Sequence, residues 1–151
     1  MYRTQEKVAT SFLVDDANDL IASHHDLIAS YRDALEKARS DQLGRLFQAL
    51  LEDHRADITR LSAVVNEHGG EPTEKPDAGQ LTARLRVIFG NLLSEAGMVR
   101  AMLTGENKLL QEYTRAIRNL VDSRGLAAAL EANRLATQTR IARLEVAIGM
   151  D

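Results

Sequence analysis

The chain contains no cysteine and no tryptophan, and only 2 of its 151 residues are proline. Without thiols it cannot form disulfides, zinc–thiolate sites or iron–sulfur clusters, so any bound metal would depend on histidine and carboxylate ligands. Aromatic residues make up 4% of the chain, whereas strands are enriched in aromatic and β-branched residues. Ala, Leu, Arg and Glu are abundant, and these residues favour helices. We therefore predict an all-α protein.

A concentrated positive charge and a long apolar run are also absent. The formal net charge is −3 and the isoelectric point is near 5.8. Domains that bind nucleic acid usually carry a strongly positive surface, so we expect no nucleic-acid partner. No run approaches the roughly 18 apolar residues of a membrane span, and the N-terminus lacks the apolar core of a signal peptide. We expect a cytoplasmic protein without membrane insertion.

Apolar residues recur every three or four positions along most of the chain, which is the period of amphipathic helices. Interruptions at Asp15-Asp16, Ser40-Asp41, Gly69-Gly70 and Thr104-Gly105 suggest caps, turns and breaks. The pattern predicts a flexible arm over residues 1–14 and a single helical-bundle domain over 15–151. The predicted helices cover about 15–39, 41–68, 79–103, 106–122 and 125–148.

The lengths of the connections predict the topology. Very short links require antiparallel hairpins over 15–68 and 106–148. The long connection between them can return along the bundle and make the helices at 41–68 and 106–122 parallel. This arrangement is a ferritin-like four-helix bundle with a long helical crossover. A five-helix up-and-down bundle, with 79–103 as a full core member, is the alternative.

Four local features also indicate a family. They are Asn-Asp-Leu at 18–20, Tyr-x-x-Ala at 31–34, the double glycine at 69–70 and Thr-Gly at 104–105. Over about residues 18–120 the chain resembles a bacterial ferritin-like four-helix-bundle family of unknown function. The resemblance implies the fold and leaves the activity open.

The same fold suggests a di-iron oxidase or iron-storage unit, and the residues can be tested for it. Such a centre uses a Glu-x-x-His pair from each of two helices. No Glu-x-x-His occurs in this chain, and three residues after Glu52 stands Arg55, a cation that would oppose a metal ion. In the last helix the inward positions are Asn133 and Thr137. A complete di-iron centre is therefore not expected.

A smaller metal site remains as an alternative. His24 and His54 fall on the apolar stripes of two paired helices, and Asp57 follows His54 by one turn. Two histidines and one carboxylate could hold a single divalent ion. The competing interpretation makes both histidines core residues, hydrogen-bonded to a tyrosine, a carboxylate or a backbone carbonyl. On that interpretation we expect no cofactor, no carboxylate at a stripe centre, and a change of about 1–2 kcal/mol in stability for His54→Leu.

Three functions follow from these observations. The first is a non-catalytic bundle that acts through protein–protein contacts, in a stress-associated or accessory role. The second is a degenerate ferritin-like protein that binds one metal ion through His24 and His54, and the third is the di-iron protein. An enzymatic function is the less favoured interpretation. The wide apolar face of residues 81–103 further predicts a homo-oligomer.

Overall fold

The computed structural model describes residues 2–74, 94–120 and 124–149. These residues form four helices and no strand. They are α1 (Tyr2–Lys37), α2 (Asp41–Glu67), α3 (Glu95–Arg118) and α4 (Arg124–Gly149). None of these helices is long and apolar enough to cross a membrane.

Helix α2 has well-defined ends that its sequence explains. The Ser40 side chain accepts a hydrogen bond from the backbone N–H of Leu43, so Ser40 is the N-cap. At the other end, Gly70 N–H donates to the Val65 carbonyl and Gly69 N–H to the Asn66 carbonyl, which completes a Schellman motif.

Different physical constraints explain why residues 69 and 70, after α2, are both glycines. Gly69 has a φ of 77°, a left-handed conformation that residues with a Cβ atom rarely adopt. Gly70 lies beside the side chain of Val14, and a Cβ at this position would lie 2.7 Å from a Val14 methyl group. The double glycine therefore both ends α2 and allows the chain to pass close to α1.

The four helices form a bundle of two antiparallel hairpins. Helix α1 packs on α2 and α3, and α4 packs on the same two helices. Ser40, at the start of α2, is hydrogen-bonded to Glu95 at the start of α3, so α2 and α3 run parallel. The predicted ferritin-like four-helix bundle is confirmed.

Two predicted helix boundaries are wrong. Helix α1 begins at Tyr2, so residues 2–14 extend this helix instead of forming a separate arm. Asp15 and Asp16 are exposed within the helix, where a carboxylate costs little compared with alanine. The two aspartates are therefore interior positions of α1 and do not cap it.

The predicted break at Thr104-Gly105 is also wrong. Helix α3 continues from Glu95 to Arg118, because one glycine costs only about 1 kcal/mol in a helix. Burial of Met102 and Leu109 on either side contributes roughly 1.5–3 kcal/mol each and outweighs that cost. The five-helix up-and-down alternative required the chain to reverse at this point and is therefore wrong. Residues 79–93 of the predicted crossover helix lie outside the described residues.

The topology predicts two distances that spin labels can measure in this cysteine-free chain. Labels at Arg39 and Glu95 should be close, because both residues lie at the end of the bundle that contains Ser40. Labels at Glu67 and Glu95 should be separated by about 40 Å, the length of the 27-residue α2. A short distance in the second pair would contradict the parallel arrangement of α2 and α3.

Candidate functional site

The interior of the bundle contains polar side chains from all four helices. Three helices each contribute a pair spaced by seven residues, which is about two turns, so both members point to the same side. Helix α2 contributes a pair spaced by three residues, which also share a face. All eight side chains are buried. They are His24 and Tyr31, His54 and Asp57, Glu106 and Tyr113, and Asn133 and Arg140.

Five of these side chains form one continuous series of hydrogen bonds. A carboxylate only accepts, so His54 Nε2–H donates to Glu106 Oε2 at 2.7 Å. His54 Nδ1 then accepts from His24 Nδ1–H at 2.8 Å. His24 Nε2 accepts from the Tyr113 hydroxyl at 2.5 Å, and the Tyr113 oxygen accepts from Asn133 Nδ2 at 2.9 Å. Each contact in this assignment has one donor and one acceptor.

The orientation of the Asn133 amide fixes the start of this series. Its Nδ2 also donates to the backbone carbonyl of Asp57 at 3.1 Å. Its Oδ1 accepts from Arg60 Nη1 at 3.1 Å. Because Arg60 can only donate, the amide oxygen and nitrogen are distinguished by the network itself.

Arg140 neutralises the carboxylates at the other end of the network. This side chain is almost fully buried, and its Nε donates to Glu106 Oε1 at 3.0 Å. Its Nη1 lies 2.7 Å from Asp53 Oδ2 and 2.8 Å from Asp57 Oδ2. Its Nη2 donates to the Thr137 hydroxyl at 2.8 Å. One guanidinium therefore connects α2, α3 and α4.

Glu106 is held ionised by these contacts. Burial alone would raise its pKa, but the electrostatic interactions with His54 and Arg140 outweigh burial. Hydrogen bonds from His54 and from the Tyr31 hydroxyl at 2.7 Å act in the same direction, and the pKa is lowered to about 2. Because the folded-state pKa is depressed, this stabilisation is present above about pH 4.5 and is lost as the pH falls toward 2.

Three further buried groups are held neutral. Burial raises the pKa of Tyr31 and of Tyr113, so both remain phenols that can donate. Burial is also the main cause that lowers the pKa of His24 well below its ordinary value, with His54 and Arg140 contributing. Asp57 shows competing effects, because burial raises its pKa while the Arg140 guanidinium opposes that increase.

The buried polar groups of the network are all paired within the protein. In the part of the chain that the structure describes, no buried side-chain nitrogen or oxygen lacks a hydrogen-bond partner. Its connections to the surface are Asp53 and Arg60, whose side chains are 42% and 45% exposed. The remaining members are at most 1% exposed, so a substrate could reach them only if the bundle opened.

The structure brings the three predicted metal-site residues together. His24, His54 and Asp57 are buried, and one ligand atom from each lies within 4.8 Å of the others. The predicted hydrogen bonds of the core histidines are also present, to a tyrosine for His24 and to a carboxylate for His54. Asn133 and Thr137 point inward as predicted.

Two central residues were missed by the sequence analysis. Glu106 lies four residues after Met102 and three before Leu109, on the same buried stripe of the helix. A break at 104–105 would separate Glu106 from Met102, so the sequence analysis did not place Glu106 on this stripe. Arg140 lies three residues after Thr137, whereas the apolar stripe of this helix runs through the neighbouring Ile141. The expectation that no carboxylate lies at a stripe centre is therefore wrong, since Asp57 and Glu106 are fully buried there.

Comparisons with known proteins agree with this fold. A family model described as a domain of unknown function, DUF2383, matches residues 13–119. A crystal structure titled as that of ferritin-like, diiron-carboxylate proteins from Bacillus anthracis str. Ames is similar, with a TM-score of 0.74 and 16% sequence identity. The similarity covers 93% of this chain and 97% of that chain, and at this identity it supports the fold alone. No curated protein sequence matches the chain.

The residues present do not fit a di-iron centre. Such a centre needs carboxylates from all four helices and two histidines, each free to coordinate metal. Here the hydrogen bonds of the two histidines involve no carboxylate of α1 or α4, and the two rings are bonded to each other through Nδ1. The guanidinium of Arg140 already binds Glu106 and Asp57, and it would repel a metal ion beside them.

The buried neutral His24 predicts a loss of stability in mild acid. The unfolded state binds a proton as the pH falls below about 6.5, whereas the folded state does not because the pKa of His24 is lowered. Stability should therefore fall by about 1.4 kcal/mol per pH unit below 6.5, until the lowered pKa is reached. Urea denaturation between pH 7 and pH 5 measures this slope.

The neighbouring His25 provides the control. Its ring is partly exposed and bonded to the Thr73 carbonyl, outside the central network. A His24→Gln variant should lose most of the pH dependence, and a His25→Gln variant should retain it. Equal slopes in the wild type and in the His24→Gln variant would contradict the assignment to His24.

The contacts of His54 also change the expected effect of His54→Leu. The substitution leaves His24 Nδ1 without its partner and removes one of the donors to Glu106, so the sequence-based value of about 1–2 kcal/mol is too small. We expect a loss of about 3 kcal/mol or more in the free energy of unfolding. A His25→Leu variant should change it by about 1 kcal/mol or less. Denaturation curves that place both variants within 1 kcal/mol of wild type would show that the network contributes little.

Proposed function

The chain belongs to the DUF2383 family, a family of unknown function, and on that premise we propose that it is a non-catalytic, metal-independent bundle. It acts through protein–protein contacts in the cytoplasm, as a homo-oligomer and in an accessory or stress-associated role. The observation that carries the proposal is the closed network around Arg140. A protein that needed a metal in this position would not place a buried, fully bonded cation among the carboxylates.

The chemistry of the buried centre supports a structural role. In the described residues, each buried side-chain nitrogen and oxygen already has a hydrogen-bond partner. Tyr31 and Tyr113 are held as phenols, and Glu106 is held as a carboxylate.

The surface of α4 supports a role in protein contacts. Leu135 and Val146 are large hydrophobic residues that are 50% and 62% exposed. They are eleven residues apart, about three helical turns, and so they lie on the same side of the helix. Exposed apolar side chains on one side of a helix are available for contact with another protein chain.

A second candidate function is binding of a single divalent ion by His24, His54 and Asp57, and their proximity favours it. Two histidines and a carboxylate are suitable ligands for zinc. The two Nδ1 atoms are 2.8 Å apart, however, whereas nitrogens around tetrahedral zinc are separated by about 3.3 Å. Binding would therefore require the rings to move apart and their shared proton to leave.

Metal analysis of protein purified without a histidine tag tests both candidates. For the metal-independent bundle we expect less than about 0.1 equivalents of iron, manganese or zinc, and an unchanged melting temperature after treatment with EDTA. The network already provides the charge balance that an ion would supply. Elemental analysis and thermal denaturation measure the two quantities.

If metal is found, two aspartate variants show whether it is bound at the predicted single-ion site. About one equivalent of metal that is lost in an Asp57→Asn variant and retained in an Asp41→Asn variant would support the single-ion site. Asp41 is exposed at the start of α2, far from the network, and is therefore a matched control.

A further inference from the structure

Three carboxylates converge on one buried cation in this protein. Asp53 and Asp57 both accept from Arg140 Nη1, and Glu106 accepts from Arg140 Nε. A single nitrogen within 2.8 Å of two carboxylate oxygens holds those oxygens around one point. We refer to Asp53, Asp57 and Glu106 as the carboxylate box.

The carboxylate box needs a positive charge to be stable. Asp57 and Glu106 are fully buried, and two buried carboxylates that share a site repel each other unless a cation lies between them. Removing one partner of a buried ion pair is strongly destabilising, because the remaining charge is uncompensated. His54 already donates to Glu106, and Arg60 already donates to Asp57, so neither replaces the guanidinium.

We propose that the carboxylate box is a cation-binding site and that the Arg140 side chain is its resident cation. Arg140 fills the site from within the chain and thereby excludes exchangeable cations. The oxygens that surround it are hard ligands, which suit Mn²⁺, Mg²⁺ and Ca²⁺, and their spacing matches a planar guanidinium directly. A chain without the Arg140 side chain should therefore take up a cation from solution.

This proposal rests on the proposed metal-independent function and can be tested separately from it. The test is chemical rescue of an Arg140→Ala variant, followed by circular dichroism during heating. Millimolar guanidinium is compared with urea, its neutral isostere, and with sodium chloride at equal ionic strength. Mn²⁺ is tested at the same concentrations.

We expect Arg140→Ala to lower the melting temperature by roughly 10 °C. Guanidinium should raise it again by about 3 °C for each tenfold increase above its dissociation constant, and Mn²⁺ should act in the same direction. Urea and sodium chloride should have no such effect. An Arg143→Ala variant is the matched control, because Arg143 is an exposed arginine three residues after Arg140 in α4. Added cations should not raise the melting temperature of this variant.

If the Arg140→Ala chain does not fold alone, the same cations should restore its helical signal. An Arg140→Lys variant, which keeps the charge, should remain folded and should gain nothing from added cations. The proposal is overturned if neither guanidinium nor Mn²⁺ stabilises Arg140→Ala, or if urea does so equally well. Stoichiometric metal in the wild type would instead overturn the proposed function, while the rescue experiment would still decide the role of Arg140.

Discussion

The bundle depends on one buried ion pair system, in which the Arg140 guanidinium lies between Glu106 and the aspartates of α2. A charge in a protein interior is costly unless a partner and hydrogen bonds compensate for it. Here the compensation extends from the guanidinium through Glu106 to His54. The histidines, tyrosines and Asn133 can be buried because each has a partner in a series that ends on this carboxylate.

The sequence was a good guide to the fold because helix period and loop length are local properties. The stripe through Leu43, Phe47 and Leu50 indicated the buried face of α2, and Gly69 indicated its end. These features need no knowledge of distant residues. Very short links then left few topologies for the hairpins to adopt.

The centre was harder to predict because its members are defined by contacts between helices. Periodicity placed His24 and His54 inside, but it does not reveal which nitrogen faces which partner. Glu106 was assigned to a helix start because Gly105 suggested a break, and tertiary packing overrides such a local preference. An arginine at position 140 is usually assumed to be exposed, so only the carboxylates from other helices explain its burial.

The two hairpins each contain only part of the polar network. The α1–α2 hairpin has the contact between His24 and His54, and the α3–α4 hairpin has the contact between Glu106 and Arg140. Apolar stripes of helices can slide past one another by a turn with modest loss, whereas paired charges and directed hydrogen bonds cannot. The complete network therefore depends on the alignment of the two hairpins. A misaligned bundle would bury unpaired charges, so this sequence selects one alignment and strongly disfavours the alternatives that its apolar residues alone would permit.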